Sequence, residues 1–367
     1  MKKTMQMICA MALMALVASC GKSNTFTVNG TLADESFEGM QAYLLNDGDV
    51  IDSAVVTNGT FTFSGSVEQP YMAAVVAGGG NGRDYLTFVV EPGTITLDVI
   101  EDKLGGTPLN DSLQLFMETI TDKELEEQMT TYIEQYYMAA NAQDRAEAEH
   151  MYDSLEAIST TLLFDGATAL YNNHRDDILG VYAMQMMCST DRMTYTQLVD
   201  MLSDAPETVK SDKQVCAKMA QLEAVEATSP GKHYTDIEGV DGKLSDLIDG
   251  KVALVDFFAS WCGPCRAEIR DNLVPLWKKY EKKGLVIVGL NVWERGDAAA
   301  RKAAHEKVMA DLGITYPQLV DSTRTATDTY GMKGIPQIML IDKDGTIVAR
   351  DLRGDAIEEA IVNVLGK

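Results

Sequence analysis

Val252-Ala253-Leu254-Val255-Asp256-Phe257-Phe258-Ala259-Ser260-Trp261-Cys262-Gly263-Pro264-Cys265 decides the fold of the C-terminal part of the chain. Val252 to Phe258 is a continuous apolar run broken only by Asp256, the pattern of a strand buried on both faces. A C-x-x-C pair follows at once, where the strand turns into a helix. A first cysteine so placed meets unpaired backbone N–H groups and the positive end of the helix dipole, and both stabilise its thiolate. A thiol with a pKa of about 8.5 is only about 3 % ionised at neutral pH, whereas one shifted to about 7 is roughly half ionised. The thiolate is the form that attacks a disulfide. Cys262 is therefore the expected nucleophile, and Cys265, one turn further in, the expected resolving thiol. Pro264 suits the first helical turn, where no N–H partner is needed.

Resolution of a mixed disulfide needs a proton acceptor. Asp256 lies in the apolar strand, and Glu268 follows Cys265 by three residues on the same helix, which turns it toward the same region. A carboxyl group buried beside sulfur has a raised pKa and exchanges protons near neutrality. The competing readings are a strand-end hydrogen bond for Asp256 and an ordinary solvated helix position for Glu268.

From Lys232 onward strands and helices alternate. A helix is expected from about Cys262, a strand over Leu285 to Val292, a helix over Ala298 to Asp311, and a strand pair, Gln337 to Ile341 with Ile347 to Asp351, turned at Asp344-Gly345. Asp355 to Leu365 closes the chain as a helix. Asp342-Lys343-Asp344-Gly345 lacks the acidic residue that a calcium loop carries at its twelfth position, and reads as a hairpin turn. Thr228-Ser229-Pro230-Gly231-Lys232 reads as a linker.

Val255 to Arg266 resembles the active-site segment of the thioredoxin superfamily. Tyr330-Gly331-Met332-Lys333-Gly334-Ile335-Pro336, followed by a strand, is similar to the cis-proline region of its TlpA/ResA-like branch of extracytoplasmic oxidoreductases. The resemblance covers residues 232–367 and implies a thioredoxin-like α/β fold with no cofactor. It also implies a cis peptide before Pro336 and pairing of the Ile335 backbone with the substrate chain. Trp261, Gly263 and Pro264 complete the implied substrate contacts. Asp256 falls at the buried aspartate of thioredoxin, and Glu268 at a glutamate of the TlpA/ResA branch. Two departures stand out. Gly289 stands about where thioredoxin has a lysine, and Arg270 replaces a proline that often follows the glutamate.

The front of the chain has another grammar. Residues 20–108 read as an all-β domain of short alternating runs, with Ile51 to Thr57, Asn58-Gly59 and Thr60 to Ser64 as the clearest hairpin. This part resembles a β-rich domain of unknown function that precedes thioredoxin-like domains in bacterial lipoproteins. The glycine-rich run Gly78 to Gly82 lacks the Lys-Ser/Thr ending of a phosphate loop. Residues 109–228 read as a helical domain. Asn110, Asp111 and Ser112 offer cap oxygens, and Phe116, Ile120, Met129, Ile133 and Tyr136 follow at helical spacing. Cys188 and Cys216 are either a disulfide or two buried thiols. No histidine has a partner at metal-ligand spacing, so no metal is expected.

The N-terminus predicts where this chemistry happens. Lys2 and Lys3, an apolar stretch from Met5 to Ala18, and Val17-Ala18-Ser19-Cys20 make residues 1–19 a lipoprotein signal peptide, with Cys20 as the lipidated residue. Gly21 and Lys22 differ from the aspartate signal for inner-membrane retention, so a periplasm-facing anchor in the outer membrane is expected. With 31 basic and 55 acidic side chains the formal charge is -24, a surface that repels phosphate backbones and disfavours nucleic acid. The expected partners are exported proteins with disulfides and a membrane or periplasmic thiol electron donor. The Gly-Pro dipeptide is that of thioredoxin, whose potential of about -270 mV marks a reductant. A disulfide oxidase or isomerase, a thiol peroxidase, and a binding or assembly lipoprotein with a scaffold thioredoxin-like domain are the competing functions.

Overall fold

Alternating apolar side chains organise the first part of the chain into two four-stranded sheets. The computed structural model describes residues 24–32, 34–78, 84–121, 123–142 and 144–366, and its fold divides between Ala183 and Met184. The signal segment, Cys20 and Gly79 to Gly82 lie outside the described residues. Strand β1 (Thr25–Thr31) runs between β4 (Thr60–Ser66) and β7 (Gly93–Asp98), and β8 (Lys103–Gly105) completes that sheet. The second sheet has the order β3 (Asp49–Val55), β2 (Gln41–Asn46), β5 (Tyr71–Ala77), β6 (Asp84–Val90). Phe26 and Val28 of β1 and Phe61 and Phe63 of β4 are buried. Gly30 faces Phe61 in register, and a Cβ there would fall 1.9 Å from the ring. The glycine makes room for the phenyl group.

The expected hairpin is only a turn. Asn58 and Gly59 both have positive φ, and Thr57 and Thr60 exchange backbone hydrogen bonds of 2.8 and 3.1 Å. Beyond that bridge the flanking strands part, β3 to pair with β2 and β4 with β1, because the Phe61/Phe63 face of β4 belongs to the core shared with β1. Asn-Gly thus carries the chain from one sheet to the other.

Helices α1 (Pro108–Ile120), α2 (Lys123–Asn141), α3 (Arg145–Asn173) and α4 (Ile178–Ser189) follow. The run from Phe116 to Tyr136 is shared by two helices; Phe116 is buried and Ile133 exposed. The α1 N-terminus is capped from a distance. Glu91, itself buried, accepts from the backbone N–H groups of Leu109 (2.8 Å) and Asn110 (3.3 Å). The Asn110 side chain instead pins the helix to the backbone of Val89.

The expected helical domain 109–228 is divided inside α4. Helices α5 (Tyr195–Ser203), α6 (Glu207–Lys210) and α7 (Lys213–Ala227) belong to the same unit as the C-terminal sheet. The expected linker is part of the join. Thr228 is fully buried and accepts from Arg350, while Gly231 and Lys232 exchange backbone hydrogen bonds with Ile347.

In this unit β11 (Val252–Phe258) is the middle strand of a five-stranded sheet, after a small pair, β9 (Glu238–Gly239) and β10 (Gly242–Lys243). It runs parallel to β12 (Leu285–Asn291) and antiparallel to β14 (Gln337–Ile341). Strands β13 (Gln318–Val320) and β15 (Ile347–Ala349) form the edges. Every residue of β11 is buried because helices cover both faces of the sheet. Val252, Leu254 and Phe258 enter a core with Cys262, Cys265 and the closing helix; Ala253, Val255 and Phe257 enter the opposite one with α8 (Leu244–Ile248). The helix that carries Cys265 starts as α9 (Gly263–Glu268), widens to a π turn at Ile269–Leu273 and continues as α10 (Val274–Tyr280). Pro275 has no N–H to donate back into the preceding turn, and the widened turn accommodates it. Helices α11 (Ala298–Leu312), α12 (Thr325–Thr329) and α13 (Asp355–Leu365) complete the unit. Among the described residues no helix is long and apolar enough to cross a membrane.

Candidate redox site

Cys262 and Cys265 are joined as a disulfide. Cys262 is the N-cap of α9, where its Sγ accepts from the backbone N–H of Cys265 at 3.2 Å. That donor is one of the groups a helix start leaves unpaired, and it stabilises a thiolate at Cys262 once the disulfide is reduced. Cys262 is 4 % exposed and Cys265 fully buried, so an incoming disulfide reaches only the first sulfur. Trp261, Gly263 and Pro264 form an exposed rim around it. The Ile335–Pro336 peptide is cis, and the Ile335 carbonyl oxygen lies 3.8 Å from Cys262 Sγ. The backbone before the proline therefore lies against the Cys262 sulfur.

Asp256 is on the even-numbered face of β11, the face that packs against both cysteines. It is fully buried, and neither carboxylate oxygen has a hydrogen-bond partner among the described residues. Burial pushes its pKa up to about 8; Arg353 opposes the shift and Glu268 adds to it. The strand-end hydrogen bond that sequence allowed is absent. Gly289 is its register partner on β12, and the Gln318 side chain lies over that glycine, so a Cβ there would meet the amide at 2.6 Å. An uncharged side chain fills the space beside Asp256. Tyr316, in the same core, has its hydroxyl pKa raised by burial and then by Asp256. Glu268 is half-buried rather than freely solvated. Its Oε1 accepts from Asn272 Nδ2 at 2.8 Å and from the Gly354 N–H at 2.9 Å, which ties the active-site helix to the start of α13. Arg270 is exposed and pairs with Asp271.

A model of the AhpC/TSA family matches residues 222–350, and one of a domain of unknown function, DUF4369, matches residues 26–113. Thiol-disulfide oxidoreductase ResA of Bacillus thuringiensis is 32% identical over 139 residues, 38% of this chain and 75% of that protein. The chain belongs to the ResA-like thiol-disulfide oxidoreductases. Thiol:disulfide interchange protein HelX of Rhodobacter capsulatus is 32% identical over 146 residues, 40% of this chain and 70% of the relative. The thioredoxin domain of a thiol-disulfide oxidoreductase from Bacteroides vulgatus is 28% identical, covers 37% of this chain and 98% of that domain, and has a TM-score of 0.32.

Two residues that sequence reasoning did not single out, Glu294 and Arg353, lie beside these groups. Glu294 follows β12, and parallel neighbours such as β11 and β12 bring their C-terminal loops together. Its carboxylate accepts from Ser260 N–H (2.5 Å), Ser260 Oγ (2.7 Å) and Asn291 Nδ2 (2.9 Å), which fixes the loop before Cys262. Trp261 Nε1 donates to the Trp293 carbonyl at 2.9 Å, and the Arg295 guanidinium stacks 4.3 Å from the Trp261 ring. Arg353 donates to the Pro336 carbonyl, and its charge opposes the upward shift of the Asp256 pKa. A carboxylate just beyond the neighbouring parallel strand was a visible signal for Glu294; for Arg353 there was none. Away from the site, Cys188 and Cys216 are free thiols. Cys188 is buried, which pushes its thiol up to about 11, and Cys216 is exposed.

Proposed function

We propose that the chain is a periplasm-facing, lipid-anchored oxidoreductase that reduces disulfides of exported proteins through Cys262 and Cys265. The observation that carries this reading is the position of Cys262 Sγ, at a helix start, 3.8 Å from the Ile335 carbonyl and above a fully buried Cys265. In the dithiol form, the Cys262 thiolate attacks a client disulfide, forms a mixed disulfide and expels one client sulfur as a thiolate. Cys265 loses its proton to Asp256, which is charged in part of the population because its pKa is about 8. The Cys265 thiolate then attacks Cys262 Sγ, and the second client sulfur leaves and takes up a proton. Two electrons have passed to the client, and the enzyme is left with the Cys262–Cys265 disulfide. A thiol donor of the membrane or periplasm returns it to the dithiol.

Trp261, Gly263, Pro264, Ile335 and Pro336 supply the client contacts in this scheme. Glu268 holds the active-site helix and tunes Asp256 by repulsion. Anchorage through Cys20, after removal of residues 1–19, and attachment to the outer membrane rest on the signal sequence. Cys262→Ser should abolish disulfide reduction, and Cys265→Ser should accumulate the mixed disulfide on non-reducing gels. A Cys265→Ser protein that turns over normally overturns the assignment of roles. Equilibration with glutathione gives the direction: a potential near about -270 mV supports a reductant, and one near about -120 mV an oxidant. Cys20→Ala should release the protein from the membrane fraction.

A further inference from the structure

Next to the cis-proline loop the C-terminal unit carries a groove of about 830 Å³. One wall is the loop, Lys333 to Gln337. The other is built by residues outside the five-stranded sheet: Tyr195 at the start of α5, and Leu222, Val225, Glu226 and Ser229 along α7 and just beyond it.

The two walls are fixed to each other. Gln221 Nε2 donates to the Gly331 carbonyl at 2.7 Å, Arg350 Nη1 to Thr228 Oγ1 at 2.6 Å, and Lys333 pairs with Asp191. Gly331 has φ +60°, and a Cβ on it would fall 2.4 Å from the Gln221 carbonyl oxygen. This close approach sets the groove width before anything binds.

We propose that the groove receives an extended stretch of the client polypeptide flanking the cysteine bonded to Cys262, so that α5 and α7 choose which disulfides are reduced. The inference rests on the redox role of Cys262. Continuity with the reactive site identifies the occupant. Ile335 and Pro336 line the groove, and the Ile335 carbonyl is 3.8 Å from the sulfur that holds the client. A chain bonded to that sulfur passes Ile335 and meets the groove directly. The lining suits a peptide better than a small ion. Leu222 and Pro336 give apolar contact, Tyr195 and Ser229 offer hydroxyls, and the cationic Lys333, Arg350 and Arg353 are interspersed with Asp191, Glu226 and Asp351.

The test uses the full chain carrying Cys265→Ser, in mixed disulfide with a synthetic peptide containing one central cysteine. Failure to form that adduct overturns the redox reading, and this proposal with it. With the adduct formed, photoreactive benzoylphenylalanine in place of Glu226, which is exposed, should crosslink to peptide residues beside the cysteine. The same probe in place of Arg295 reads contact on the Trp261 side of the sulfur, which the proposal allows and does not require. Crosslinking from position 295 alone, or from neither position, overturns the groove assignment while leaving the redox reading intact. As an independent measurement, Glu226→Trp with both cysteines present should lower kcat/KM for a disulfide-bonded peptide relative to hydroxyethyl disulfide by about tenfold, the equivalent of about 1.4 kcal/mol. An unchanged ratio refutes the proposal.

Discussion

Replacing Asp256 by asparagine should flatten the pH dependence of stability near neutrality. The carboxyl titrates at about 8 in the fold and at roughly 3.9 in the unfolded chain. A carboxyl with a raised folded pKa binds its proton more tightly in the native state. Its contribution is complete below about pH 4 and is lost as pH rises toward about 8. Each pH unit well inside that window removes roughly 1 kcal/mol, so the wild type should lose about 2–3 kcal/mol between about pH 5.5 and about pH 7.5 that the asparagine variant retains. Asparagine also brings amide donors into a site where neither Asp256 oxygen has a partner. That cost is independent of pH and moves the whole curve without changing its slope. The protein has three tryptophans, Trp261, Trp277 and Trp293, all in the C-terminal unit, so their fluorescence during urea unfolding of the oxidised protein follows that unit alone. Stability curves for wild type and Asp256→Asn that stay parallel across this range would refute the assignment of a neutral, buried carboxyl.

The charges facing Asp256 predict opposite shifts. Arg353→Ala removes the group that lowers its pKa and should move the pH midpoint of the resolving step up; Glu268→Gln removes the group that raises it and should move the midpoint down. Single-turnover reduction across a pH series reads both, and shifts of the same sign would contradict the arrangement. Gly331→Ala combines a left-handed φ with a Cβ 2.4 Å from a carbonyl oxygen, so the urea midpoint should fall by an amount equivalent to about 1–3 kcal/mol. An unchanged midpoint would mean that α7 yields at little cost.

Local patterns were legible in the sequence, and distant partners were not. Val252 to Phe258 is the buried strand that was read, since a continuous apolar run needs cover on both faces, and it proves to be the middle one of its sheet. The closing helix Asp355–Leu365 stands as read, and the turn at Asp344-Gly345 stands where its turn residues placed it. The cis peptide at Pro336 came from resemblance, and no local pattern specifies it. The Asn58-Gly59 turn was legible because its chemistry is local. The parting of its strands was not, because it depends on which sheet accepts Phe61 and Phe63. Glu91 capping α1, Glu294 holding Ser260, and Arg353 against Pro336 all act across the fold. The division inside α4 was hidden because residues 109–228 form one compositional block, while Gln221 and Thr228 bond to residues more than a hundred positions away.

The attachment of α7 to the cis-proline loop bears on how the chain is cut into pieces. Resemblance alone invites a redox fragment starting at Lys232. That cut strips Thr228 from Arg350, Gln221 from the Gly331 carbonyl and Asp191 from Lys333, baring a guanidinium and an ammonium beside the reactive sulfur's own loop. A fragment that keeps these three contacts has to reach back at least to Asp191, far ahead of the cysteine pair.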